Sequence, residues 1–164
     1  MHNDASHLID DFDRKILARY QWSTRVPAAD IGREIGLSEA AVQRRLKRLR
    51  ETGVIEAETA RISPAALGFP VTCLVGVDLR DESMHELDRF KSRMMAYGEV
   101  QQCYYVTGQW DFMLVVLAAS MESYEAFTRE ALLSDPNVQG FTTQVALERV
   151  KVGLELPLGH SPQV

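Results

Sequence analysis

The sequence is poor in cysteine and lacks long apolar runs, and each shortage excludes a class of protein. Its 164 residues include only Cys73 and Cys103, thirty positions apart and without a CxxC pairing. That spacing suits reduced thiols better than a disulfide or a metal site. No apolar run reaches the roughly 20 residues that span a bilayer, and the N-terminus lacks the basic start and apolar core of a secretory signal. We therefore expect a cytoplasmic protein with no membrane span.

Groups suited to catalysis are also scarce. Of the four histidines, His2, His7 and His160 lie near the ends of the chain, and His85 stands beside Glu86. No Cys/His pair, metal-ligand cluster, phosphate-binding Gly-rich loop or isolated pair of carboxylates is recognisable. We predict that the protein is not an enzyme and needs no cofactor or metal.

Basic residues are concentrated in the first 62 positions. This part carries 11 Lys and Arg against 10 Asp and Glu, whereas the remainder carries 7 against 13, within a net charge of −5. Residues 38–50 hold a single acid, Glu39, against five basic residues: Arg44, Arg45, Lys47, Arg48 and Arg50. Taken alone, such a run is more often the solvated face of a helix than a nucleic-acid contact.

The surroundings of this run favour DNA. Asp11 is positioned to cap a first helix, residues 27–34 form a second helical stripe that ends at Gly36, and a third helix begins at Ser38 and stops at Gly53. Two helices joined by a short turn containing Gly are typical of a helix-turn-helix. The following "VIEAETARI" is interpreted as a short strand or wing.

The third helix has two different faces. Val42, Leu46 and Leu49 fall on one side, where they can pack on the first two helices, and the opposite side is basic and begins with small residues. We expect Ser38, Ala40, Gln43 and Arg44 to face bases and Lys47 and Arg48 to meet phosphates. The complete predicted DNA-binding set is Ser38, Glu39, Ala40, Gln43, Arg44, Arg45, Lys47 and Arg48.

The second half of the chain shows a different pattern. "SPAALGFP" is typical of a linker, and it is followed by strand, helix, strand, strand, helix and strand, the ferredoxin-like βαββαβ order. Ser83 and Glu86 are predicted to form a capping box. The last strand is predicted over residues 138–154, with a bulge near residues 148–150.

One face of the predicted sheet lacks a cover. Right-handed crossovers place both helices on the same side of the sheet. The strand "FMLVVL" is nevertheless apolar on both of its sides. A second copy of the chain would cover the free face, so a symmetric homodimer is expected.

Several of these motifs together resemble the Lrp/AsnC family of feast-or-famine transcriptional regulators of bacteria and archaea. They are "DDFDRKIL", "ADIGREIGLSEAAVQRRLKRLRETGVI", "VQQCYYVTGQWDFML" and "ALERVK". The resemblance covers residues 9–154. It implies an α+β fold in which an N-terminal winged helix-turn-helix precedes a ferredoxin-like βαββαβ αβ-sandwich domain.

The resemblance also implies an organisation. Residues 1–62 would form a helix-turn-helix DNA-binding domain, 63–70 a linker, 71–155 an effector-binding and oligomerisation domain, and 156–164 a C-terminal tail. The homodimer would assemble to an octamer. The protein would be a sequence-specific regulator of double-stranded DNA whose assembly or DNA affinity responds to a small molecule, an amino acid.

The residues that the resemblance implies for the effector are Gly108, Asp111, Met121, Thr143 and Gln144. Each has a plainer interpretation: Gly108 and Asp111 as hairpin residues, Met121 as core, and Thr143 and Gln144 as exposed strand positions. Many relatives carry an acid directly after the loop Gly, where this sequence has Gln109 followed by Trp110. A nonpolar or aromatic effector would suit Trp110 and Met121, unless Trp110 points into the dimer core.

Two alternatives remain open at this point. One is an Lrp/AsnC-like enzyme of the siroheme decarboxylase type, which would need histidines in the strand region that this sequence lacks. The other is a nucleoid architectural protein, which differs from a local regulator only in the selectivity of its DNA sites.

Overall fold

The computed structural model describes residues 9–159, and the chain divides into two compact units. Of the described residues, 9–60 and 151–159 form the first unit, which we call the head. The second takes Arg61–Val150, and we call it the sheet unit. The division therefore groups residues 151–159 with the three-helix region that precedes the sheet unit.

Three helices form the head: α1 (Asp11–Tyr20), α2 (Ala28–Ile35) and α3 (Glu39–Glu51). They enclose a small apolar core of Ile16, Tyr20, Ile31, Val42 and Leu46. The predicted turn between α2 and α3 is confirmed. Gly36 ends α2 with φ of +77°, a left-handed conformation that favours glycine, and Ser38 begins α3 by accepting the N–H of Ala41 at 3.2 Å.

The cap of α1 differs from the prediction. Asp10, not Asp11, is the N-cap residue, and its carboxylate accepts the backbone N–H of Asp13 at 2.8 Å. The Asp13 carboxylate in turn accepts the N–H of Asp10 at 3.1 Å, which completes a capping box. The sequence "DDFD" offers acids at adjacent positions, so composition alone could not decide which of them caps the helix.

The predicted wing strand is absent from the described residues that follow α3. The segment 54–62 has no regular secondary structure. A wing needs two paired strands, and no second strand lies in the described part of the head to satisfy the backbone groups of the first. Its ties to the helices are the Ile55 N–H, which bonds to the Leu49 carbonyl, and side-chain contacts of Glu58.

The sheet unit has the predicted βαββαβ order. Its strands are β1 (Val71–Leu79), β2 (Val100–Tyr105), β3 (Phe112–Ala118) and β4 (Val138–Val145), and its helices are α4 (Met84–Met95) and α5 (Met121–Thr128). All strand pairs are antiparallel, in the spatial order β2-β3-β1-β4. A 3-10 turn at Ala65–Leu67 lies in the predicted linker, and a π-helical turn at Arg129–Leu133 extends α5.

Alternate strand residues pack under the helices. The main core includes Val75, Val77, Phe112 and Leu114 together with Leu87 and Phe90 of α4 and Phe127 of α5. The opposite face carries Leu74, which is 38% exposed, and the half-buried Met113, Val115 and Leu117. This uncovered face is the one that the sequence predicted to lack a cover.

Three local predictions for the sheet unit are wrong. β4 ends at Val145 rather than at residue 154, because its partner β1 starts at Val71 and no other strand between residues 9 and 159 pairs with the residues that follow. The β1–β4 register shifts where Asp78 pairs with Gly140 and Leu79 with Val138, so the extra residue lies near the start of β4 and not near residues 148–150. Ser83 begins α4 without a side-chain hydrogen bond, so no capping box forms there.

Candidate functional site

Helix α3 separates a buried stripe from a solvent-exposed side, as predicted. Val42, Leu46 and Leu49 are at most 5% exposed and hold the helix on the head. Seven members of the predicted DNA-binding set are exposed, and Arg45 alone is half-buried; the exposed ones are Ser38, Glu39, Ala40, Gln43, Arg44, Lys47 and Arg48. These seven residues are therefore accessible to solvent on α3.

The exposed residues differ in how they are held. Glu39 accepts a hydrogen bond from the Gln43 amide at 2.9 Å, which orients that amide along the helix. Lys47 lies 3.8 Å from Glu51, a loose pair between two exposed side chains. Arg44 forms no ion pair with any residue in the described range 9–159.

Two other predicted DNA contacts point back to α1. Arg45 donates from Nη1 to Asp10 Oδ2 at 2.7 Å and to Asp13 Oδ1 at 2.9 Å, and Arg48 donates from Nη2 to Asp13 Oδ2. The Asp13 side chain is fully buried. The backbone N–H of Asp13, and then Arg45, lower the pKa of Asp10 below its ordinary value. An ionic network therefore ties α3 to α1.

Sequence reasoning did not assign a role to Asp13. The only signal was its place, at the start of a helix and three residues before the buried Ile16, which makes it look like an ordinary first-turn acid. Arg45 also lies over the Phe12 ring, 5.6 Å from its centre.

Arg50, the last basic residue of the run, is bound inside the head. It donates from Nε to Glu58 at 2.7 Å and from Nη2 to the Tyr20 hydroxyl at 2.8 Å. Arg50 and then Tyr20 lower the pKa of Glu58, whereas burial and then Glu58 raise the pKa of Tyr20. Three of the five basic residues thus bind acids at the start of α1 or in the segment after α3, and Arg44 and Lys47 do not.

In the sheet unit, Gly108 and Asp111 form the β2–β3 connection. Gly108 is exposed with φ of +118°, a conformation that favours glycine. The Asp111 carboxylate accepts the N–H of Leu79 at 2.7 Å, and its main chain bonds to Val77 and Val106. Both residues therefore have contacts or backbone angles that suit a hairpin, and one carboxylate oxygen of Asp111 already accepts a backbone N–H.

Thr143 and Gln144 lie on opposite faces of the sheet. The hydroxyls of Thr143 and Tyr124 are 2.5 Å apart on the helix side, where the exposed Met121 begins α5. Gln144 pairs with Leu74 and belongs to the uncovered face. Asp111 precedes the first residue of β3 and Met121 follows its end, so within one chain the five predicted effector residues do not surround a single point.

Trp110 packs on the uncovered face, where sequence reasoning had missed its partner Gly76. A Cβ atom at Gly76 would lie 2.7 Å from the indole ring of Trp110, closer than such atoms approach. Gly76 therefore provides the space that lets the half-buried Trp110 lie against β1.

Chemistry-bearing residues elsewhere are dispersed. No group of three or more His, Cys, Asp or Glu within residues 9–159 is arranged to hold a metal ion. Cys73 is buried, Cys103 is half-buried, both are free thiols, and burial raises the pKa of each. His85 is exposed, 4.0 Å from Glu86, and His2, His7 and His160 lie outside the described residues. Across those same residues, no helix has the length and apolarity that a membrane span requires.

Comparison with known proteins identifies both units. The AsnC-type helix-turn-helix domain matches residues 9–50, and the Lrp/AsnC ligand binding domain matches residues 72–156. The chain belongs to the Lrp/AsnC family. An uncharacterised HTH-type transcriptional regulator of Sinorhizobium fredii is 43% identical over 155 residues, which cover 94% of this chain and 92% of that protein. The chain is a transcriptional regulator and not an enzyme.

Solved structures of Lrp/AsnC proteins agree in fold. A transcriptional regulator of Neisseria meningitidis in complex with L-methionine matches with a TM-score of 0.85 at 27% identity, covering 93% of this chain and 98% of that one. A feast or famine regulatory protein of M. tuberculosis complexed with L-methionine matches with a TM-score of 0.79 at 29% identity, covering 87% and 95%.

Proposed function

We propose that this Lrp/AsnC protein reads a defined DNA sequence through α3, and that an amino acid bound to the sheet unit controls its assembly or DNA affinity. The observation that carries the first part is the exposed side of α3, where Arg44 has no acidic partner in the described chain. Ser38 and Ala40 are small residues at the start of that side, so the end of the helix can enter a major groove.

Three of the exposed residues have side chains suited to a particular DNA group. Arg44 can donate two hydrogen bonds to a guanine, and Gln43, once released from Glu39, can bind an adenine. Lys47 lies one turn further along and suits a phosphate. Arg45 and Arg48 are bound to Asp13, so we do not assign them to DNA.

The test uses DNA that the protein itself selects from a random duplex library. Arg44→Ala should weaken binding to the selected duplex by about tenfold or more, because one bidentate base contact is worth roughly 1–3 kcal/mol. Arg129→Ala is the matched control, since Arg129 is an exposed arginine of the sheet unit that pairs with Glu125. Equal losses in both variants would contradict the proposal, and a selection without any motif would favour the architectural alternative.

The uncovered face supports a homodimer. Leu74, Met113, Val115 and Leu117 form an apolar surface beside Trp110, and a second copy would bury it. Two heads would then read the two halves of a roughly palindromic site. We also propose further assembly to an octamer and, because the target is chromosomal DNA, a cytoplasmic location.

The proposed effector is an amino acid, supported by the L-methionine complexes of the two regulators described above. The strand β3 has 7 residues, so Asp111 and Met121 at its two ends are separated by about 20 Å. We therefore propose that Gly108 and Asp111 of one protomer and the Met121–Thr143 region of another complete one effector site. Gln144 is part of the uncovered face and would act through the dimer contact.

A further inference from the structure

The arginines on α3 are not equivalent, and the difference lies in their acidic partners. Arg45 is 24% exposed and Arg48 is 44% exposed, yet each donates to the buried Asp13 carboxylate. Arg45 also bonds to Asp10, the cap of α1. We call Asp10 and Asp13 the acid clamp.

We propose that the acid clamp sets the DNA specificity of α3 by holding Arg45 and Arg48 against α1 and away from the phosphate backbone. Asp10 and Asp13 are positioning residues in this proposal, since they act through the two arginines. The inference rests on the proposed DNA-reading role of α3 and adds a control of its selectivity.

The burial of Asp13 makes the hold strong. The Asp13 carboxylate has no solvent exposure, so its negative charge is balanced by the two guanidinium groups. If both arginines turned to phosphate, they would leave a buried charge without a partner, which is costly. The second acid adds a geometric restraint, because Asp10 is fixed by the capping box with Asp13.

Holding Arg45 and Arg48 on the acid clamp changes the selectivity for DNA sequence, whereas the affinity for the correct site stays nearly the same. Phosphate contacts supply nearly all of the binding to DNA of arbitrary sequence, whereas contacts with base edges distinguish sequences. If Arg45 and Arg48 were free, α3 would present four cations to any duplex instead of two. By holding them, the clamp lowers binding to arbitrary DNA and leaves recognition to Gln43 and Arg44.

The salt dependence of binding is the decisive measurement, because each phosphate contact adds about 0.9 to the slope of log K against log salt concentration. Fluorescence anisotropy with a labelled duplex of scrambled sequence gives this slope for the full-length protein. Asp13→Asn should steepen the slope by about 1 to 2 and raise affinity for the scrambled duplex several-fold.

A mutant cycle separates the clamp from a general charge effect. The double variant Arg45→Gln/Arg48→Gln should keep the wild-type slope, and adding Asp13→Asn to it should produce no further change. The proposal is overturned if the arginine variant alone lowers the slope, which would show that they already touch phosphates. It is equally overturned if Asp13→Asn steepens the slope in the double variant, where Arg45 and Arg48 have been replaced.

Asp10→Asn covers the case in which Asp13→Asn does not fold. Asparagine remains a good N-cap, and Asp10 is half-exposed, so this variant keeps the helix while removing one partner of Arg45. It should steepen the slope by less than about 1, because Asp13 still binds Arg45, and Glu34→Gln, which removes an equal charge next to Arg19, should not steepen it. An equal effect of both variants overturns the clamp. Loss of binding in Arg44→Ala is judged separately, on the selected duplex, so the two proposals can fail independently.

Discussion

Tyr20 donates its hydroxyl to Glu58 at 2.8 Å, which joins the end of α1 to the segment that leaves α3. Arg50 binds both groups and closes the triangle. These three side chains fix a stretch of chain that has no regular secondary structure. Neutralising Glu58 should therefore loosen this stretch on the head.

The first prediction concerns acid. The pKa of Glu58 is lowered from its ordinary value of 4.5 by Arg50 and Tyr20, so the folded state favours the ionised form. The stabilisation is complete above that ordinary value and is lost as the pH falls through the lower, folded-state value. At pH values under about 4.5, the melting temperature of wild type should therefore decrease, and that of Glu58→Gln should decrease less. Glu56→Gln, a neighbouring exposed acid, is the control and should follow wild type.

A second prediction tests the space under Trp110. Gly76→Ala would place a methyl group 2.7 Å from the indole, so the ring must move. We expect a loss of about 1–3 kcal/mol in the free energy of unfolding by urea, with a change in tryptophan fluorescence. Gly140→Ala on the neighbouring β4 is the control, because a Cβ there meets nothing within 4 Å. Equal stability of the two variants would show that Trp110 has room elsewhere.

A third prediction tests the return of the chain end to the head. The side-chain amide of Gln21 donates to the carbonyl of Leu156 at 3.1 Å and accepts the N–H of Leu156 at 2.9 Å. Gln21→Ala should speed hydrogen exchange at the Leu156 amide, because that N–H loses its acceptor. Gln101→Ala removes a side-chain bond to Gly98 in the sheet unit and should leave the Leu156 amide unchanged. Unchanged exchange at the Leu156 amide in Gln21→Ala would show that groups other than Gln21 hold the segment.

The sequence predicted α3 well because its signals are local. Ser38, Gly53 and the stripe of Val42, Leu46 and Leu49 each act within one or two helical turns, and the structure confirms all of them. The βαββαβ order was predictable for the same reason, since alternation and helical spacing are read within single elements.

Features that depend on distant partners were not predictable. Asp13 binds Arg45 and Arg48 across more than thirty positions of sequence. The basic residues of α3 therefore look alike in the sequence, although in the structure some are bound to the acid clamp and others are not. The end of β4 is set by where β1 begins, although apolar alternation continues beyond Val145. Thr143 and Gln144 are neighbours in sequence, and strand geometry sends them to opposite faces.

The last prediction separates two roles of Asp111. Its carboxylate accepts the N–H of Leu79 at 2.7 Å, and the proposed effector role needs its negative charge as well. Asp111→Asn retains an oxygen for Leu79 and removes the charge, so the variant should keep the wild-type melting temperature to within a few degrees. We expect L-methionine to raise the melting temperature of wild type, and Asp111→Asn should lose that increase because an amide pairs poorly with an α-ammonium group.

Two further measurements make this test of Asp111 decisive. Asp88→Asn removes the same charge from an exposed pair with Lys91 on α4 and should preserve the response to L-methionine. Asp111→Ala removes both the oxygen and the charge, so it should lower the melting temperature of the ligand-free protein as well, by the loss of one charge-assisted hydrogen bond worth about 1.5–3 kcal/mol. A response that survives in Asp111→Asn would show that the carboxylate serves the hairpin alone. The α-ammonium group would then have to be held by backbone carbonyls of the loop around Gly108, where the absence of a side chain leaves the main chain accessible.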